Sequence, residues 1–428
     1  KTPPKREMGM PYVSIPEMRG GELDLASARK ISRKDFEEWT KKAKPEAFDV
    51  VLSRRCNPGE TAFVRPGMQF ALGQNLVLLR SNGERVYPPF LRWLARSPHW
   101  WEQVETFLNV GAVFDSLRCA DVPKFRLPVP GKAEQAAIST LLGALDDKIE
   151  LNRRTNETLE ALARAIFRDW FVDFGPTRAK AEGREPYLAP ELWDLFPDRL
   201  DAEGKPEGWV WTTVGNFFRL TMGQSPPGST YNDAGEGLPF FQGRTDFGFR
   251  YPTNRKYCSA PTRIAQAGDT LVSVRAPVGD INLSWERCCI GRGVSAISHA
   301  EGLESFTYYS AWGLQLELKK YEHTGTVFGS INKKQFAALE VIDPGSTLIT
   351  LFEDVVSPLD ARIRSNTAES RTLAQTRDLL LPQAHVRRDP PQGRREDGRG
   401  LAMTLHTPLI VKFLRRSFNN SPAYLSEL

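Results

Sequence analysis

The chain carries two copies of one unit, and this constrains the fold more than any single motif. Gly111, Val113, Phe114 and Ser116 match Gly325, Val327, Phe328 and Ser330 at an offset of 214 residues. The same offset carries Pro130 to Pro344, Leu145-Asp146 to Leu359-Asp360, Ile149 to Ile363, Asn152 to Asn366 and Leu159 to Leu373. Upstream the offset drifts. Asp49, Ser53, Arg55 and Gly59 match Asp269, Ser273, Arg275 and Gly279 at 220, Leu72-Gly73 matches Ile290-Gly291 at 218, and Gly9-Met-Pro-Tyr matches Gly237-Leu-Pro-Phe at 228. A collinear series whose offsets change slowly is what duplication followed by loop-length change leaves behind. The repeating unit is about 210 residues.

Each copy has a mixed part and a helical part. Short alternating runs such as Thr270–Arg275 and Val294–Ile297, bounded by Gly, Pro and Asp, read as strands, and Phe306–Leu318 reads as helix. From Gln135 to about Phe171 there is no Pro, and Gly143 is the one Gly. Ile138, Leu142, Leu145, Ile149, Asn152, Asn156 and Leu159 fall in steps of three and four, which predicts a heptad seam. Such a helix is about 50–55 Å long at 1.5 Å per residue. A domain of about 130 residues has a radius of gyration near 14 Å, so the helix outruns it and calls for a second helix. The second copy supplies one, with Phe352, Val356, Leu359, Ile363, Asn366, Leu373 and Leu380 on its seam, interrupted by Ser370 and Arg377. Asn at a seam position costs stability and fixes register. Asp173–Gly208, rich in Pro, Gly and acids, reads as a connector that returns the chain from the far end of the first helix to the second globular part.

Net charge is +5, and its distribution says more than its size. Residues 1–134 carry 22 basic and 16 acidic side chains, 135–208 carry 10 and 15, 209–344 carry 13 and 12, 345–385 carry 4 and 5, and 386–428 carry 8 and 4. Most of the excess therefore sits in the last 43 residues. The five cysteines are odd in number and never spaced C-x-x-C, which argues against a disulfide framework or a zinc site and fits a reducing cytoplasm. No run of about 18 apolar residues predicts a membrane span, and no apolar stretch follows the basic start as in a signal peptide. There is no phosphate-binding G-x-x-x-x-G-K-[ST] loop, no H-E-x-x-H and no G-x-S-x-G. Asp389-Pro-Pro-Gln392 lacks the aromatic residue that would stack on an extruded base. The sequence reads as a binder without catalytic or metal-ligating residues.

The binding candidates lie at predicted strand ends and turns. In the second copy they are Gln224, Ser225, Arg244, Arg275, Arg292, Lys333 and Lys334; in the first they are Arg54, Arg55, Gln74, Asn75 and Arg118. Arg pairs bidentately with guanine and Gln or Asn with adenine, while Lys and backbone N–H groups at Gly turns hold phosphates. Arg55 and Arg275 recur at matching places, which suits phosphate contact or a structural pairing with Asp49 and Asp269. Gln74-Asn75 against Arg292-Gly293 differs between copies and suits base reading.

Gly223-Gln-Ser-Pro-Pro-Gly-Ser-Thr-Tyr-Asn, Gly237-Leu-Pro-Phe-Phe-Gln-Gly, Gly268–Asp280, Cys289-Ile-Gly-Arg-Gly and Gly325–Asn332 together resemble a target recognition domain of the specificity subunits of type I restriction-modification enzymes. Glu134–Glu160 followed by Phe167–Phe174 is similar to the central helical region of that family. The resemblance spans residues 9 to about 383. It implies an α/β (mixed α+β) fold with two similar target recognition domains, each reading one half of a bipartite, asymmetric DNA sequence. Two long antiparallel helices, forming a coiled coil, join and separate them. The helix-pair seam then comprises Ile138, Leu142, Leu145, Ile149, Asn152, Asn156, Leu159, Leu359, Ile363, Asn366 and Leu373. It further implies a non-catalytic subunit on which two methyltransferase subunits dock, with restriction subunits added. S-adenosylmethionine, ATP and Mg belong to those partners, and the chain itself takes no cofactor and no metal.

The expected organisation is a first recognition domain over 1–134, a spacer helix over 135–172, a connector over 173–208, a second recognition domain over 209–344, a distal helix over 345–383 and a disordered basic tail over 384–428. Only eight residues precede Gly9, against 28 (Trp209–Glu236) before Gly237, so the first domain is expected to be truncated and to lack a Gly-Gln-Ser-Pro-Pro loop. Two other readings stay open: an inactive or orphan scaffold, and a stand-alone DNA methyltransferase or nuclease.

Overall fold

The computed structural model describes residues 2–111, 115–323 and 329–383. Val113, Phe114, Gly325, Val327 and Phe328 of the repeat, and the whole 384–428 tail, lie outside the described residues. The named elements of the first copy are β1 (Met10–Val13), β2 (Arg29–Ile31), β3 (Val50–Ser53), β4 (Thr61–Phe63), β5 (Ala71–Leu72), β6 (Leu76–Leu79) and α1 (Pro98–Phe107). The first long helix, α2 (Lys132–Phe171), follows, then the short α3 (Gly175–Ala181). The second copy brings β7 (Val210–Thr213), β8 (Arg219–Met222), β9 (Leu238–Phe241), β10 (Tyr257–Cys258), β11 (Thr270–Ser273), β12 (Ile281–Leu283), β13 (Cys288–Ile290) and β14 (Val294–Ser298). It continues with α4 (Glu304–Gly313), α5 (Lys333–Ala337), β15 (Glu340–Asp343) and the second long helix, α6 (Ser346–Gln383).

The duplication is visible bond by bond. One sheet runs β2-β1-β5 in the first copy, and its counterpart places β10-β9-β13 at the centre of five strands. The other runs β4-β3-β6, and its counterpart is β12-β11-β14 with β8 added outside β14. Among the described residues nothing pairs with β6 as β8 pairs with β14. Arg55 bridges Ser116 just as Arg275 bridges Ser330. Gly9 and Gly237 both sit at positive φ (146° and 89°), where an added Cβ would lie 2.1 Å from the carbonyl oxygen of Ile31 and of Cys258. Only glycine fits so close a backbone approach.

The long helices lie antiparallel along one another, and repeat-equivalent residues meet where they cross. Asn152 Nδ2 donates to the Asn366 carbonyl at 3.3 Å, and Asn366 Nδ2 donates to Asn156 Oδ1 at 2.9 Å. Because Asn152 and Asn366 are equivalents, an approximate twofold relates the copies through this contact. Of the expected seam, Leu142, Asn152, Asn156, Ile363 and Asn366 are buried, and Ile138, Leu145, Ile149, Leu159, Leu359 and Leu373 are half-buried. The apolar seam needs correcting. Gln135, Ser139, Asp146 and Glu160 share the buried stripe of α2. Ser370 and Arg377 belong to the interface: Ser370 accepts from Asn152 at 3.2 Å and Arg377 pairs with Asp146 at 2.7 Å. Polar residues occupy these places because the helices meet hydrogen-bonding groups of each other and of the globular parts, not only apolar side chains.

Both helices run on into the partner copy. Phe167, Trp170 and Phe171 of α2 pack with Phe306, Trp209 and Phe352 in the core of the second copy. Leu381 of α6 packs with Phe90, Trp93 and Leu142 on the first. The connector therefore has no distance to recover, contrary to expectation: α2 already ends inside the second copy. Residues 173–208 fold against that end instead. Phe174, Trp193 and Phe196 are buried, and Lys180 Nζ donates to the Phe196 carbonyl at 2.6 Å.

A buried ion cluster fixes each copy to both helices. Arg92 of the first copy pairs with Asp146 of α2 at 2.8 Å, and Arg377 of α6 reaches the other oxygen of Asp146 at 2.7 Å. The side chains of Arg92 and Asp146 are 7% and 5% exposed. Burial pulls the Arg92 guanidinium down to about 10, against the pull of Asp146. In the second copy Arg250 pairs with Asp360 of α6 at 2.8 Å and with Glu160 of α2 at 3.5 Å, and donates to Tyr309 Oη at 2.8 Å. Removing one partner of such a cluster strands a buried charge, which costs about 3–5 kcal/mol. Asp146→Ala is expected to lower the urea midpoint by that equivalent with an unchanged m-value, and to lower it more than the exposed change Glu157→Ala measured alongside.

Candidate nucleic-acid interface

In the second copy three strand ends converge. β9 ends at Phe241, β11 at Ser273 and β13 at Ile290. Gly291 N donates to the Phe241 carbonyl at 2.9 Å, Gly293 N to Gln242 at 3.1 Å and Val274 N to Gly293 at 2.9 Å. A Cβ on Gly293 would lie 2.4 Å from the Gln242 carbonyl oxygen, so glycine is what allows this closure. The closure leaves a surface cavity of about 720 Å³ lined by Gln242, Gly243, Arg244, Thr245, Phe247, Arg275, Ala276, Pro277, Arg292 and Gly293. Arg244, Arg275 and Arg292 are all exposed there. Arg244 NH1 pairs with Asp280 at 2.7 Å. The arrangement offers several fork-shaped donors at one concave site, the chemistry that recognises phosphates and the acceptor edges of bases.

The remaining candidates of this copy divide. Gln224 and Ser225 stand beside the site: Gln224 N donates to the Ile290 carbonyl at 3.0 Å, and Ser225 Oγ accepts from Arg292 N at 3.2 Å. Lys333 and Lys334 are exposed on the first turn of α5 behind its Asn332–Gln335 capping box, and do not line the cavity. Thr245, Phe247 and Asp280 were not among the sequence candidates. Asp280 carried a signal, since it falls where the repeat places Glu60: Ser273 N donates to the Asp280 carbonyl as Ser53 N does to Glu60, both at 2.8 Å.

The first copy builds the same turns with other side chains. Arg54 N donates to the Asn75 carbonyl at 2.9 Å, and Gly73 N to Val13 at 2.6 Å. Arg55 and Gln74 are exposed; Arg54 is half-buried, and Asn75 adopts φ 68°. Arg118 is turned onto its own loop by Asp121 at 2.7 Å. The structural pairing expected for Arg55 and Arg275 does not form. Asp49 pairs with Arg80 at 2.7 Å, and the Asp269 side chain accepts from Gln266 N at 2.8 Å. Asp49 directly precedes β3 (Val50–Ser53) and Arg55 stands two residues beyond it, so the two flank opposite ends of the strand. Among the described residues neither Arg55 nor Arg275 pairs with a carboxylate, and both are exposed.

Residues 1–161 match the family model described as the type I restriction modification DNA specificity domain. The chain is 28% identical over 346 residues to the type I restriction enzyme MjaX specificity subunit assigned in Methanocaldococcus jannaschii, covering 79% of this chain and 77% of that one. It is 26% identical over 411 residues to the type I restriction enzyme HindI specificity subunit of Haemophilus influenzae, covering 82% and 88%. The crystal structure of the type I restriction-modification S subunit from M. genitalium superposes with a TM-score of 0.50 at 17% identity, over 89% of this chain and 90% of that one, a likeness of fold. The repeat, the helix pair and the arginine-lined strand ends thus occur in a chain whose first 161 residues match the type I specificity domain and which is similar along most of its length to type I restriction enzyme specificity subunits.

Proposed function

We propose that this chain reads a split, asymmetric duplex DNA sequence, one half-site per globular copy, and carries the enzymes that act on it. The observation that carries this reading is the convergence of Arg244, Arg275 and Arg292 on one cavity at the strand ends of the second copy, with Arg55 and Gln74 at the equivalent turns of the first. Arg55 and Arg275, equivalent and without a carboxylate partner among the described residues, hold phosphates. Arg292 against Gln74, which differ, read bases, and Gln224, Ser225, Asn75, Lys333 and Lys334 extend the two contact surfaces. The helix pair sets the separation of the half-sites.

Like the specificity subunits it is similar to, the chain on this reading supplies specificity and not chemistry. Two methyltransferase subunits dock on it and bring S-adenosylmethionine; restriction subunits bring ATP and Mg-dependent translocation and cleavage. On this reading the chain acts on DNA in the cytoplasm; among the described residues no helix is long and apolar enough to cross a membrane.

Three measurements test this reading. Exchanging residues 209–344 for those of another specificity subunit is expected to change one half-site in a methylation-mapping assay; a change in both would overturn the assignment of one copy to one half-site. Inserting seven residues into each long helix adds about 10 Å, and is expected to lengthen the spacer by about three base pairs. Arg275→Ala is expected to weaken binding to all sequences alike and to make the slope of log K against log salt shallower by about one.

A further inference from the structure

Arg244 is the cavity arginine with a carboxylate partner, and that partner is held unusually firmly. Ser273 N donates to the Asp280 carbonyl at 2.8 Å, Asp280 N donates to Ser273 Oγ at 2.9 Å, and Gly279 N donates to the Ser273 carbonyl at 2.9 Å. The Asp280 backbone is therefore pinned to the end of β11. Its side chain, 32% exposed, meets Arg244 NH1 at 2.7 Å, and Arg244 itself is 51% exposed. The nearer acid in sequence, Asp246, is engaged by Arg255 at 2.5 Å. Asp280 occupies one nitrogen of the Arg244 fork and leaves the rest of its donors to the cavity.

A carboxylate paired with an arginine that lines a site for a polyanion works against affinity through charge repulsion. Its position is accounted for if it orders the arginine. A free arginine side chain samples many rotamers, whereas one anchored on a rigid strand end presents its fork in one direction. The device exists in one copy. Three residues beyond Phe241 stands Arg244, and three beyond the equivalent Val13 stands Pro16; the place of Asp280 is taken by Glu60, exposed and, among the described residues, paired with no arginine.

We propose that Asp280 is a positioning residue that locks Arg244 to read one guanine in the half-site of the second copy, and that the half-site of the first copy has no counterpart of this contact. The inference rests on the DNA-reading function proposed above. A fork held for the O6 and N7 acceptors of guanine discriminates against other bases by about 5- to 150-fold.

The test selects duplex libraries, randomised over each half-site, with the full chain in complex with its methyltransferase subunits. Wild type, Asp280→Asn and Arg244→Lys are compared, with thermal melting to show that each variant folds. Asp280→Asn keeps the side-chain shape and removes the anchoring charge; Arg244→Lys keeps a cation and removes the fork. Both are expected to lose at least fivefold of the preference for guanine at the same single base pair of one half-site, with preferences at all other positions unchanged. Should Asp280→Asn strengthen binding evenly and leave every preference intact, Asp280 only repels phosphate and the inference fails. Loss of a preference for cytosine, at a pair where Arg244→Lys has no effect, would make Asp280 itself the reader and overturn it equally. A wild-type complex that selects no sequence at all would instead overturn the DNA-reading function.

Discussion

The structure depends on two carboxylates, the buried Asp146 and the half-buried Asp360, that the repeat places at equivalent points of the long helices. Each accepts a buried arginine from its own globular copy, Arg92 in one case and Arg250 in the other. Each cluster also recruits the opposite helix, through Arg377 and through Glu160. A charge in such a place is stabilising only while all its partners are present. The clusters therefore act less as glue than as a requirement: helix register and domain orientation must both be right for either to be satisfied. The arginines are not equivalents of each other, so the duplicated unit has kept the acid and met it in two different ways.

The asparagines at the helix crossing make a similar demand. Asn152, Asn156 and Asn366 can hydrogen-bond to one another and to the Asn366 and Ile363 carbonyls in one register only. A slide by one turn would leave buried amides without partners. The spacing of the two globular copies is thus held by polar groups along a line that a purely apolar seam would let slip.

Much of this architecture was legible in the residues. The drifting offsets revealed the duplication because glycine at a close backbone approach, as at Gly9 and Gly237, cannot be replaced without moving a strand. The three-four spacing located both long helices. What stayed hidden were contacts that depend on distant segments. Asp146 and Glu160 stood on no expected contact, because nothing near them in the sequence announces Arg92, Arg377 or Arg250. Arg377 and Ser370 read as interruptions for the same reason. The connector misled through its composition: Pro and Gly suggest a loose link, but its few aromatic residues decide where it packs. At the candidate site the turns were legible and the partnerships were not. Arg118 looked as available as Arg55 until Asp121 was seen to hold it, and Asp280 drew no notice until it was found against Arg244.

The exchange of helix ends between the copies also governs the order in which the molecule can be completed. Domains form as the chain emerges, N-terminal part first. When the first copy and α2 have been made, Asp146 still lacks Arg377, and Phe90 and Trp93 still lack Leu381, since these lie near the end of α6. The second copy has no such wait: Phe167, Trp170 and Phe171 precede it and are in hand when its own strands arrive. The copy that is synthesised first is therefore the one that is finished last.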